Sequence, residues 1–539
     1  MPSRQVSNRG KMRKRSLFPF WLKTLGFIAF NLAILLTLPA RSAEKIILRY
    51  GPLEFSLKRE SLEAYAKEGT IAPDLKSFVS RLDAKGQEGL RNILLAKADV
   101  DAIAVSQFFY STQGEAILEV AGKLVQTPSR LSGFYALRSA LILAANDPEG
   151  LTPLNIIKRF PTSEIFFNSE FAFELLRKVS QSARQTQKAI AAIEAQVTDP
   201  EGTTGEFSLD LQRMGTFSYR QQTLILDDSD RDRVFLADIY IPRRNDRLPL
   251  VIISHGLGSD RQTYTYLARH LASHGFAVAV PEHPGSNARQ LQDLAAGFTR
   301  DISPPREFID RPLDIQFLLD RLTQMYGDRI NWQQVGAIGQ SFGGYTALAL
   351  AGAELNFPQL EYRCQKQHYS LNLSLLLQCP AQTLARQDYS LHDDRIKAVI
   401  AINPITSSIF GDAGVSAIQI PTAIVTGSAD TVAPALDEQI LPFTALTAPH
   451  KYLILLRGGT HFSTLGASSN DVSLPSQVVG PDPAIARNYL AALSLAFFGV
   501  YIAEDGRYQS YLSADYTRYI QREEMPLSIV ESLRREQFN

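Results

Sequence analysis

Beyond residue 216 the chain is a series of short apolar runs separated by helical stretches, and that alternation limits its fold more than any other feature. The runs "LPLVIISHG", "FAVAVPEH", "VGAIGQS", "IKAVIAINP", "TAIVTGSAD" and "YLILLRGGTH" are rich in β-formers, and most are apolar throughout. Parallel strands buried on both faces read this way, whereas half-exposed strands alternate. Helical segments lie between most of them. One is expected from Ser259, with Gln262 completing a capping box, to near Gly275. Another is expected to open at Pro312 and to carry Ile315, Leu318, Leu319 and Leu322 on one face. "QQTLILDD" and "RVFLADIYIP" read as an antiparallel hairpin around residues 228–232. Together these patterns imply a doubly wound α/β domain with a mostly parallel sheet.

A chain of 539 residues is too long for one core, and the period changes before residue 200. After a short hairpin pattern ("IILRYGPLEFSL"), apolar residues recur at helical spacing, as at Phe134, Leu137, Leu141, Ala144 and Ala145. Gly150 and Pro153 punctuate a boundary. Residues 171–198 form one amphipathic stretch with Leu176, Val179, Ala183, Ile190, Ile193 and Val197 on one face. The expected organisation is therefore a separate all-helical domain over 44–199, a linker over 200–215 and the α/β domain over 216–539. Insertions near 285–309 and 354–394 interrupt the last.

Residues 1–43 read as a signal peptide: a basic segment, an apolar run over 25–38, and Ala40-Arg-Ser42 as the cleavage site. The other reading is an uncleaved anchor. Either places the folded part outside the cytoplasm, where Cys364 and Cys379, the two cysteines, are expected to pair. Lys+Arg and Asp+Glu balance at 55 each, so no global field points to nucleic acid. No Cys or His cluster has metal-ligand spacing, and neither a metal nor another cofactor is expected. The amphipathic N-terminal helices suit domain packing or peripheral contact with a membrane.

One pentapeptide carries chemistry. Gly339-Gln-Ser-Phe-Gly343 is a weak motif alone, but Ser341 ends an apolar strand and opens a helical run. A nucleophile elbow needs that placement, with Gly339 and Gly343 leaving room for the tight turn. Of the eight histidines, His461 follows the last strand and lies downstream of the serine, which makes it the candidate base. His255 and His283 also end strands at that edge, but they precede Ser341. Asp430, closing "AIVTGSAD", is the candidate orienting acid, with Asp412 and Asp437 as fallbacks. Backbone N–H groups of Phe342, and of Leu257 in "SHGLGS", are the candidate oxyanion donors.

With these motifs in place, residues 216–505 resemble a serine α/β-hydrolase. The segments "SHGLGS", "LASHGFAVAVPEHPGSN", "RPLDIQFLLDRL", "GQSFGGYTAL" and "GGTHFS" resemble most the platelet-activating-factor acetylhydrolase and dienelactone-hydrolase-like branch. The resemblance implies an α/β-hydrolase fold, Ser341 as nucleophile, Asp430 as acid, His461 as base, and Leu257 and Phe342 as oxyanion donors. Gln340 stands where acetylhydrolases commonly have histidine, and dienelactone hydrolases proper use a cysteine nucleophile. Residues 46–170 resemble an uncharacterised helical domain that precedes such hydrolases in photosynthetic bacteria. Its marks are "RYGPLEFSL", "VSQFFYSTQGEAIL", "GFYALRSALILAANDPEGLT" and "RFPT".

The expected activity is hydrolysis of a lipid or short-acyl carboxylic ester through an acyl-enzyme. A peptidase, or a binding protein on the same scaffold, are the alternatives. Both insertions carry apolar segments that could line the mouth of the site or pack against the N-terminal domain.

Overall fold

The computed structural model describes residues 42–51, 53–197, 207–365, 371–468 and 476–538. The expected leader lies outside the described residues except for its last two positions. Of these, Ala43 is buried and donates its N–H to the Phe160 carbonyl (3.2 Å), so it belongs to the folded part.

The N-terminal region is mainly helical, but it is not all-helical as the sequence suggested. The hairpin is present as β1 (Lys45–Tyr50) and β2 (Leu53–Lys58). The two-residue β3 (Val125–Gln126) and β4 (Glu164–Phe167) extend it into a sheet ordered β2-β1-β4-β3. Strands of two and four residues are too short to stand out by period, and tertiary pairing creates them. Two small apolar clusters form around this sheet. One centres on Leu57, Tyr65 and Leu75, the other on Leu118, Leu137 and Phe160.

A single helix, Ser169–Val197, then leaves this region. The apolar stripe read from sequence is buried only towards its C-terminal end: Ala189, Ile190, Ile193 and Val197 are covered, while Phe173 and Leu176 stay more than half exposed. The buried end joins the same apolar core as Leu226, Phe235, Val530 and Phe538 of the α/β part. Arg457 pairs with Glu194 (2.8 Å), and Arg518 donates to the Val197 carbonyl (3.2 Å). The boundary drawn at residue 199 therefore cuts beside a shared element. Part of the expected linker is docked as well. Leu211 is buried, Leu209 N–H donates to the Tyr511 hydroxyl (2.7 Å), and Phe207 packs on Tyr516 (ring centroids 4.9 Å apart). Two apolar side chains within that polar stretch suffice to pin it.

The α/β part is built on nine strands: β5 (Tyr219–Asp228), β6 (Arg233–Pro242), β7 (Leu248–Ser254), β8 (Ala277–Pro281), β9 (Ile330–Gln340), β10 (Ile396–Ile402), β11 (Thr422–Gly427), β12 (Lys451–Leu456) and β13 (Leu527–Val530). Their order is β13-β12-β11-β10-β9-β7-β8-β6-β5. The six central strands β8, β7, β9, β10, β11 and β12 are mutually parallel, and the hairpin β5–β6 and strand β13 are antiparallel at the edges. Strands β7, β8, β10, β11 and β12 are buried almost throughout, as their unbroken apolar runs demanded. The helix Pro483–Tyr501 is long and apolar enough to cross a membrane, yet two thirds of its most apolar window is buried. Its Tyr489, Leu493 and Phe497 share one core cluster with Val425 and Ile454 of the sheet.

Two helix starts differ from expectation. The helix expected from Ser259 begins at Thr265, because Asp260 turns the chain first: its carboxylate accepts from Gln262 N–H (2.8 Å) and Thr263 N–H (3.2 Å). The helix expected to open at Pro312 begins at Glu307, with the proline inside it. Proline there leaves the Phe308 carbonyl without its helical donor. The Tyr345 hydroxyl supplies one instead, at 2.6 Å.

Candidate active site

Strand β9 delivers Ser341 to the carboxyl edge of the sheet, and the helix Phe342–Leu350 starts directly after it. Ser341 sits at φ 56°, ψ −113°, a conformation that favours glycine and costs of order 1–3 kcal/mol. The turn persists because its surroundings allow nothing else. Ser341 N–H donates to the Ile402 carbonyl (2.8 Å), and a Cβ on Gly343 would lie 2.0 Å from the Ser254 carbonyl oxygen. A Cβ on Gly339 would lie 2.1 Å from the Gly343 oxygen, so both flanking glycines are steric requirements.

His461 lies in the turn that follows β12, and its Nδ1 is 2.7 Å from Asp430 Oδ2. Asp430 follows β11. Its other oxygen accepts N–H bonds from Val432 (2.9 Å) and Ala433 (2.7 Å), which fixes the carboxylate plane. With Nδ1 engaged, His461 Nε2 is the nitrogen left for a serine hydroxyl. The Gln340 side chain donates to the His461 carbonyl (3.1 Å), tying the histidine loop to the residue beside Ser341. The fallback acids lie elsewhere: Asp412 pairs with Arg535 (2.8 Å), and Asp437 faces Arg363 (3.7 Å).

The backbone N–H of Phe342 opens a helix, and that of Leu257 lies in the loop after β7. Among the described residues neither has an acceptor. The neighbouring Gly258 N–H is already bound to the Ser286 carbonyl (2.9 Å). One unspent donor directly follows the strained serine, and the other lies in the loop whose Gly256 packs against Gln340, as an oxyanion site needs.

The other histidines have structural partners. His255 Nδ1 bonds the Gly256 carbonyl (2.7 Å), and its Nε2 accepts from His283 N–H (3.0 Å). His283 lies between Asp314 Oδ2 (2.9 Å) and Ser254 Oγ (3.1 Å). Burial, then the nearby Arg311 charge, holds both imidazoles well below their usual range, so both are neutral. Burial also lowers His270, to about 4. His392 is exposed beside Asp394, and His450 packs on Tyr501. His368 lies outside the described residues.

Several supporting residues escaped the sequence reading. Asn403, also at positive φ (42°), accepts from Gly427 N–H (3.2 Å) and donates to the Thr460 carbonyl (3.1 Å), joining the strand ends beneath the acid and the base. Its only signal was Asn403-Pro404 standing at a strand end. Arg311 and Asp314 were visible in "RPLDIQFLLDRL", but only as part of a resemblance.

Both insertions press against the N-terminal region while reaching the catalytic loops. In the first, helix Ala288–Ala295 packs on helix Ala102–Phe109, and Leu291 crowds Gly258 in the oxyanion loop. In the second, helix Leu375–Gln378 touches helix Thr112–Leu124, and Ser374 N–H donates to the Val432 carbonyl (2.8 Å) in the acid loop. Cys364 and Cys379 are joined as a disulfide that staples this second insertion, a bond that persists in oxidising compartments. Asn372, Ser374 and Gln378 beside it converge on the buried Glu438 carboxylate, which also accepts N–H bonds from Thr406 (2.6 Å) and Ser407 (2.9 Å). Among the described residues, no group of three His, Cys, Asp or Glu is arranged to hold a metal.

The sheet is that of an α/β-hydrolase fold, the turn at Ser341 resembles the elbow of its serine members, and comparison with known proteins agrees. A family model described as an alpha/beta hydrolase of unknown function matches residues 42–168, and one for platelet-activating factor acetylhydrolase, isoform II, matches residues 238–296. Platelet-activating factor acetylhydrolase of Canis lupus familiaris is 28% identical over 156 residues, covering 21% of this chain and 34% of the relative. Cutinase 2 of Thermobifida cellulosilytica is 23% identical over 281 residues, covering 51% of this chain and 76% of the relative. Cutinase cut1 of Thermobifida fusca matches at the same identity over 62% of its length. The chain thus spans about a third of the acetylhydrolases it matches and most of the cutinases.

Proposed function

We propose that the chain is a carboxylic ester hydrolase working through an acyl-enzyme. The observation that carries this reading is Ser341, held at positive φ at the sheet edge that also bears the His461–Asp430 pair. Ser341 Oγ attacks the ester carbonyl as its proton passes to His461 Nε2. Asp430, held by two backbone N–H groups, keeps Nδ1 protonated and stabilises the imidazolium. The developing oxyanion takes the N–H groups of Leu257 and Phe342. Collapse releases the alcohol with the proton from His461, and water, activated by the same base, removes the acyl group. The names of the acetylhydrolase and cutinase relatives support an ester substrate, and Leu257 and Leu291 beside the oxyanion loop favour an apolar acyl chain.

Hydrolysis of p-nitrophenyl esters from acetyl to long acyl chains tests this, with Ser341→Ala beside the natural sequence. The expected result is turnover that falls by about 10⁵–10⁶ in the variant. Turnover equal in the two proteins would refute the nucleophile, and the chain-length optimum separates a short-acyl from a lipid esterase.

A further inference from the structure

We infer that Arg311 is a positioning residue for the oxyanion site, an inference that rests on the ester-hydrolase reading above. Arg311 is fully buried and lies behind the loops that supply both proposed donors. Its guanidinium makes four hydrogen bonds to four acceptors on three separate segments. Nε donates to Thr346 Oγ1 (3.0 Å) on the helix that Ser341 opens. Nη1 donates to Ser286 Oγ (2.7 Å). Nη2 donates to Ser254 Oγ (3.1 Å) and to the His255 carbonyl, at the end of β7.

Each contact bears on one donor. His255 and Ser254 lead into the loop of Leu257. Ser286 holds Gly258 N–H through its own carbonyl, which aims the peptide next to Leu257. Thr346 lies one helical turn beyond Phe342 and donates its hydroxyl to the Phe342 carbonyl (2.8 Å). The guanidinium plane also lies over the Phe342 ring, 4.6 Å from its centroid. One rigid fork therefore sets the spacing of two N–H groups that belong to different strand ends. An ammonium could not do this, since it lacks the planar arrangement of five N–H donors.

The charge itself is uncompensated by contact. Among the described residues no carboxylate forms an ion pair with Arg311. Glu307 is reached only through Ser286 Oγ, which donates to it (2.8 Å). A buried cation solvated by neutral acceptors is costly to keep unless each bond is made. A residue serving only the core would be replaced at less cost by an apolar side chain. The location, with every bond leading to one of the two oxyanion loops, indicates what the cost supports.

The test compares Arg311→Lys and Arg311→Met with the natural sequence on one p-nitrophenyl ester, with Ser341→Ala alongside. A trifluoromethyl ketone serves as the second readout, because Ser341 adds to its carbonyl and leaves a tetrahedral oxyanion in the site. In both variants kcat should fall about 10²–10³-fold with KM nearly unchanged, and ketone affinity should weaken by a similar factor. A purely structural role would lower the yield or melting point and leave the ketone-to-substrate preference intact. That result, or kcat within about threefold of the natural enzyme, overturns the inference. If neither variant folds, Thr346→Val and Ser286→Ala each remove one anchor. They should lower kcat by about 3–10-fold with matched loss of ketone affinity, and no change in kcat overturns the inference equally. Serine-dependent turnover insensitive to all four changes sinks only the role of Arg311. Absence of serine-dependent turnover sinks the esterase reading and this one together.

Discussion

At the scale of single residues, the place of the candidate site's residues in the fold was legible wherever chain order and strand position carried the information. Ser341, Asp430 and His461 each stand just beyond a strand whose apolar run was plain, so type and place could be read together. Asn403 and Arg311 were not legible in that way, because their roles consist of bonds to backbone groups far away in sequence. The neutral pair His255 and His283 is a further consequence of folding that spacing does not reveal. His255 and His283 are kept neutral by burial, with Arg311 adding to the effect, while in an unfolded chain they would titrate near 6.5. Below that value the unfolded state binds more protons than the native one, so stability must fall as pH falls. Each contributes a loss on the order of 1 kcal/mol between pH 7.5 and 5.5. Urea midpoints at those two values check this, and a flat midpoint would mean that both imidazoles charge within the fold.

Among the elements, the parallel strands were readable and the helix starts were not. A helix start depends on which acceptors reach the first amides, and on which donor reaches any carbonyl left open, and those groups can lie anywhere in the chain. Pro312 shows why. Its missing N–H argued for a helix beginning there, yet the helix runs a turn and a half further back because Tyr345, on the helix after Ser341, caps the Phe308 carbonyl that proline leaves open. Tyr345 and Phe308 are both fully buried, so no water can replace that bond. Tyr345→Phe should therefore cost about 1–3 kcal/mol, read as a lower urea midpoint. An unchanged midpoint would show that the carbonyl has found another donor. The same reasoning explains the short strands: β4 exists because β1 is there to pair with, and β3 because β4 is.

Across the whole molecule, the division into two regions was visible in the change of period, and contact between them was one of the readings, but the residues through which they interlock were not legible. Helix Ser169–Val197 read as an amphipathic stretch suited to domain packing, but its period does not name the partner. In the fold it touches β1 and helix Thr112–Leu124 of the N-terminal region, while its C-terminal end is seated in the larger core among residues as far away in sequence as Val530 and Phe538. The N-terminal region also rests on both insertions, one beside the oxyanion loop and the other beside the acid loop. The shared helix has a consequence for continuity of the chain. Because Ala189, Ile190, Ile193 and Val197 are seated in the larger core, the peptide bonds of residues 198–206 are not what keeps the two regions together. A specific protease site placed there and cut should leave two fragments that co-elute on gel filtration under native conditions and part in urea. Fragments that separate without denaturant would contradict it. Co-eluting halves would make the protein a complementing pair, each half recognising the other by the fit of its apolar surface and by the Arg457–Glu194 pair.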